Sequence, residues 1–128
     1  MSDLKKTAFT SLYENDVQEW EEVMGYQVAA VVVGTEKEYA ALRTDVIAQD
    51  YSMLYKWFVE GPAARETVNA LVSRDVAELP VNRIAYAAVV NEDGGMVDDV
   101  TVSVLRDDAL LVIGGNPEVF DALNQAAP

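Results

Sequence analysis

Apolar positions along this chain recur with two different spacings, and each change of spacing marks an element. Residues 13–24 carry Val17, Trp20, Val23 and Met24 at helical intervals among acidic side chains, with Gly25 as a stop, which predicts an amphipathic helix. The β-branched run QVAAVVVG at 27–34 is short and apolar throughout, the pattern of a buried strand. Thr35 followed by Glu38 has the spacing of a capping box, predicting a helix through TEKEYAALRTD with Tyr39 and Leu42 facing inward and Asp45 just past its end.

The second half is richer in strands. SMLYKWFVE at 52–60 is aromatic and apolar and is closed by Gly61-Pro62, and Pro62 suits the first turn of a helix through Arg74 whose apolar stripe is Ala64, Val68, Leu71 and Val72. RIAYAAVV, then NEDGG, then MVDDVTVSVL reads as strand, tight turn and strand, the clearest hairpin in the chain. Arg106-Asp107-Asp108 turns into the strand ALLVIGG, and Asn116-Pro117 opens a last helix to about Ala126. The order predicts an α+β fold, a mostly antiparallel sheet with packed helices, in a single domain over 1–128.

Composition narrows the chemistry. With 51% apolar and 24% charged residues the 128-residue chain has a globular balance. Its formal charge of −13 argues against nucleic acid, since backbone binding needs clustered Lys and Arg. No apolar run reaches the length of about 20 residues that spans a bilayer, and the N-terminal segment has no hydrophobic signal region, so the expectation is a cytoplasmic protein with no membrane partner. Zero Cys and zero His remove disulfides, thiolate nucleophiles, imidazole bases and zinc sites of the usual kind.

Carboxylates, hydroxyls and phenols remain. Asp98 and Asp99 lie in a strand where apolar residues are expected. Counting by twos, Asp98 shares a face with Val100, Val102 and Val104, and Asp99 shares one with Val97, Thr101 and Ser103. Asp98 therefore points towards the core and needs partners there, while Asp99 points away; solvated positions at the mouth of the strand are the alternative for both. Gly94-Gly95 reads as a turn, and Gly114-Gly115 as either a strand-to-helix turn or an anion-binding start of a helix. The aromatic stretch at 51–58 fits core packing or the wall of a flat ligand's site.

Three stretches in order, EYAALRTDVIAQDYS, VEGPAARETVNALVSRDVAELPVNRIAYAAVVNEDGGMVDDVTVSVL and DDALLVIGGNPEVFDAL, resemble the folate-binding domain of the glycine-cleavage T-protein, or aminomethyltransferase, superfamily, which also includes folate-dependent demethylases. The resemblance covers about 38–123 and corresponds to the first half of that domain. It implies a tetrahydrofolate pocket in which a one-carbon group passes from a small-molecule methyl donor to the folate. It implies an essential carboxylate at Asp99, with its neighbour Asp98 as the second candidate. It also implies cofactor contacts at Tyr86 and at Leu54, which stands where the family's Asp-x-Ser-x-Met has methionine. A second protein subunit completing the pocket as a hetero-oligomer, or a homodimer, is the expected partner. The function implied is that of a small subunit of a split tetrahydrofolate-dependent methyl or aminomethyl transferase. The alternative is a noncatalytic assembly subunit of a larger folate-linked oxidase or transferase.

Overall fold

The computed structural model describes residues 4–127, which divide into two compact units, the first ending at Met53 and the second beginning at Leu54. In the first unit, β1 (Lys5–Lys6) pairs in parallel with β3 (Tyr26–Val31), and β3 pairs antiparallel with β2 (Glu19–Val23). A 3-10 turn at Thr10–Leu12 precedes β2, and helix α1 (Thr35–Thr44) follows β3.

The helix expected over 13–24 is instead the 3-10 turn's exit and β2. Val23 pairs with Tyr26, leaving Met24 and Gly25 as a two-residue hairpin turn, and both have positive φ, 53° and 78°. That is the turn geometry whose twist matches antiparallel strands. Gly25 thus stops the segment, but as half of a hairpin; the helical spacing of four apolar residues lost to strand pairing with the β-branched run beside it. Helix α1 also departs from expectation. Gly34, not Thr35, is its N-cap, although Glu38 does reach back, accepting N–H bonds from Val32 at 2.8 Å and Val33 at 2.7 Å. These amides hold its carboxyl below the usual carboxylate range. Tyr39 and Leu42 are exposed, because no described element packs a core against this helix.

The second unit is a four-stranded antiparallel sheet in the order β4 (Tyr55–Glu60), β7 (Ala109–Gly114), β6 (Met96–Arg106), β5 (Ile84–Val90). Helices α2 (Ala64–Leu71) and α3 (Glu118–Ala126) accompany it. Helix α2 starts two residues after Pro62 and ends before Arg74, so it is shorter than expected at both ends. One sheet face carries Val100, Val102, Val104, Leu110 and Val112, each 1% exposed or less, against Ala64 and Val68 of α2 and Val119 and Leu123 of α3. Burying each such side chain contributes about 1.5–3 kcal/mol, so this face holds the unit together. Arg65 ties the 76–79 loop to α2, donating to Ala77 O at 2.9 Å and Leu79 O at 2.8 Å. Among the described residues no helix is long and apolar enough to cross a membrane.

Candidate functional site

Strand register places the two aspartates. Along β6, alternate residues Val100, Val102 and Val104 are buried under the helices, while Thr101 and Ser103 face the other way. Asp98 continues the first set and Asp99 the second, as the two-residue period of a strand requires.

Asp98 is half-buried and fully engaged by backbone. Its Oδ2 accepts N–H bonds from Gly115 at 2.8 Å and Asn116 at 3.0 Å, and its Oδ1 accepts the N–H of Asp99 at 2.9 Å. Asn116 completes the latch by donating its side-chain amide to Val97 O at 3.1 Å while its Oδ1 accepts the N–H of Glu118, the first residue of α3, at 3.0 Å. Gly114 has no alternative here: a Cβ on it would overlap Asp98 Oδ2 and lie 2.9 Å from Val100 Cγ1. The amides of the Gly-Gly turn do bind an anion, and that anion is the chain's own Asp98 carboxylate.

Asp99 is exposed on the opposite face. Tyr86 of β5 pairs with Thr101, two residues along from Asp99, so the phenol reaches the carboxylate diagonally across the strands. Tyr86 Oη donates to Asp99 Oδ2 at 2.5 Å. The Asp99 carboxylate, accepting that hydrogen bond, holds the Tyr86 phenol above its usual range, and the nearby charges of Asp99 and Asp98 act in the same direction. Around the pair, cross-strand register lays out two rows: Tyr86, Thr101, Ile113 and Lys56, then Ile84, Ser103, Leu111 and Phe58. Ile84, Tyr86 and Phe58 are each about two-thirds exposed. The result is an open, partly apolar floor with a carboxylate and a phenol at one side.

Of the four residues singled out in the sequence, the structure brings Tyr86 and Asp99 together and turns Asp98 to the opposite face. Asp98 is on the helix face, and Leu54 Cδ2 lies 3.9 Å from where a Cβ on Gly115 would be, beside the Asp98 latch. Asp50, which heads the Asp-x-Ser stretch, is committed within the first unit. It accepts hydrogen bonds from Thr7 Oγ1, from Tyr13 Oη at 2.9 Å and from the Ser52 N–H at 2.9 Å. Burial pushes its carboxyl up, but these bonds together with the Ser52 hydroxyl outweigh burial and lower it to about 2. Thr101 and Ser103 are members of the floor that sequence reasoning did not single out; their shared parity with Asp99 was the available signal.

Residues 12–128 match the GCVT N-terminal domain family. The chain belongs to that family. It is 31% identical over 110 residues to the aminomethyltransferase of Shouchella clausii, an alignment covering 86% of this chain and 30% of that protein. It is 30% identical over 106 residues to the aminomethyltransferase of Bdellovibrio bacteriovorus, covering 83% and 29%. The crystal structure of the glycine cleavage system aminomethyltransferase T from Bartonella henselae superposes with a TM-score of 0.80 at 24% identity, over 98% of this chain and 36% of that one. The α+β architecture is therefore that of part of the aminomethyltransferase fold, and the chain spans about 30% of the length of the curated relatives it matches.

The exposed pair is the one with room for a ligand: the floor offers apolar area beside an acceptor, whereas Asp98 has both oxygens occupied by amides.

Proposed function

We propose that this chain supplies part of a tetrahydrofolate-dependent methyl- or aminomethyl-transfer site, as the small subunit of a demethylase whose pocket is completed by a second protein chain. The observation that carries this is the Asp99 carboxylate, exposed and oriented by the Tyr86 phenol on an open sheet face. Family membership supports the class of chemistry. Bound tetrahydrofolate would supply the nitrogens that receive the one-carbon unit. Asp99 would accept an N–H of the folate and offset the positive charge that develops as the unit leaves its donor, and Tyr86 would keep the carboxylate in place. Thr101 and Ile113 would form the floor beneath the ring.

In the complex reconstituted with its partner, Asp99→Ala is expected to abolish transfer while assembly stays intact, measured as one-carbon loading of tetrahydrofolate. Unchanged turnover would remove the role from Asp99. A second reading, a noncatalytic assembly subunit, is favoured by Leu54, which stands where the family's pattern has methionine. It requires the partner alone to bind folate and turn over.

A further inference from the structure

The second unit has a groove on the sheet face opposite Asp99, between the helices and β4. Its volume is about 370 Å³, and it is lined by Trp57 and Val59 of β4, Ala64 and Thr67 of α2, and Phe120 and Leu123 of α3. That volume falls in the range of small-molecule sites, about 300–1,000 Å³. Trp57 and Val59 pack against the buried core beneath the helices, so strand parity turns the side chains of Phe58 and Glu60 to the open face.

Thr67 stands out in this lining. It is 4% exposed, yet its hydroxyl has no hydrogen-bond partner among the described residues. The other two buried polar residues, Thr7 and Thr10, bond to each other through their hydroxyls at 3.0 Å. A helical threonine can instead donate to the carbonyl four residues back, as Thr44 does to Ala40 O at 2.9 Å, but Thr67 does not. Every fully occluded side-chain oxygen or nitrogen among the described residues has a partner, so the Thr67 oxygen keeps an opening, and the groove is the space it lines.

The lining also fixes the charge of what can enter. Glu60 is its one ionisable member; its side chain lies on the open face, where its Oε1 accepts from Arg106 at 2.9 Å. An ion in the groove would therefore lose its hydration with no opposite charge to meet, and the net charge of −13 further disfavours an anion. Trp57 and Phe120 offer ring surface, against which another ring packs stacked or edge-on. Thr67 Oγ1 offers an acceptor for one N–H or O–H.

We propose that this groove binds a small, uncharged aromatic molecule that donates one N–H or O–H to Thr67 Oγ1. The site lies across the sheet from the Tyr86–Asp99 pair, and the inference does not depend on the folate reading.

The test is an amide NMR titration of the full 128-residue chain with indole and with N-methylindole, two probes that differ in the one N–H. Indole is expected to bind with a dissociation constant of about 1 mM, shifting the Trp57 side-chain N–H and the amides of Thr67 and Leu123. N-methylindole should bind roughly fivefold more weakly. Thr67→Val keeps the shape without the hydroxyl, so it should leave stability unchanged or raised and bind the two probes equally. Ala63→Leu, which fills the groove from its wall, should weaken both probes roughly tenfold. Urea titration checks that each variant is folded. The proposal is overturned by any of four results: no saturation by about 10 mM indole, shifts centred on Tyr86, Thr101 and Ile113, an indole preference that survives Thr67→Val, or binding indifferent to Ala63→Leu.

Discussion

On the helix-covered face of β6, Asp98 sits among three backbone N–H groups and against the bare backbone of Gly114; on the open face, Asp99 has one phenol and solvent. The two residues are chemically identical and adjacent. What separates them is the strand's two-residue period, which sends one carboxylate into a place where it must be hydrogen-bonded and the other into a place where it is free to meet a ligand. An aspartate pair in a strand thus divides into a structural member and a chemical member, and neither role is a property of the motif itself.

The helix-covered face is most vulnerable at Gly114. Gly114→Ala should destabilise the chain by about 3 kcal/mol in urea titration, because the new methyl group must displace Asp98 or Val100. Asp98→Ala follows at about 2 kcal/mol, from leaving the Gly115 and Asn116 amides without their acceptor; Asp98→Asn, which keeps one acceptor oxygen, should lose less.

Asp50 sharpens the contrast from the other unit, since it too is spent on hydrogen bonds. Its folded value of about 2 lies below the ordinary 3.8, so the stabilisation it contributes is fully present above about pH 4 and is lost as pH falls through 2. With its partial exposure this amounts to about 1 kcal/mol, and Asp50→Asn should flatten the acid limb of the Trp20 fluorescence transition.

The smallest effect belongs to Asp99. Asp99→Ala should change stability by no more than about 0.5 kcal/mol, being exposed and away from the core. It should nonetheless lower the Tyr86 phenol towards its ordinary value in ultraviolet titration, since the Asp99 hydrogen bond is the largest cause of the rise. The sign is set by the raised pKa: the phenol–carboxylate contact is intact below the ordinary tyrosine value and is lost as pH rises through the raised one. A large stability loss at Asp99, or none at Asp98, would invert the assignment of the two faces.

Much of the second unit was legible in the sequence. The NEDGG turn forms where its composition demands: Asn91 Oδ1 accepts the Gly95 N–H at 2.7 Å, and Gly94 takes a φ of 79°. The strands around it alternate strictly enough for parity alone to assign faces to Asp98 and Asp99. In the first unit, residues 13–24 fit a helical spacing and a strand equally well, and pairing with β3 decided between them. Tyr39 and Leu42 had a plausible inward stripe, but burial depends on what another part of the chain brings to that helix, which a local pattern does not contain.

Residue types and local periods were enough for the second unit's hairpin, the order of its strands along the chain, the lack of cysteine and histidine, and the opposite orientation of the two aspartates. That Asp98 is consumed by the Gly115 and Asn116 amides, and that Tyr86 reaches Asp99 across the β5–β6 pair, is settled in the folded chain alone. These are contacts between segments distant along the chain, and their geometry is set by sheet register and packing, which exist only once the chain has folded.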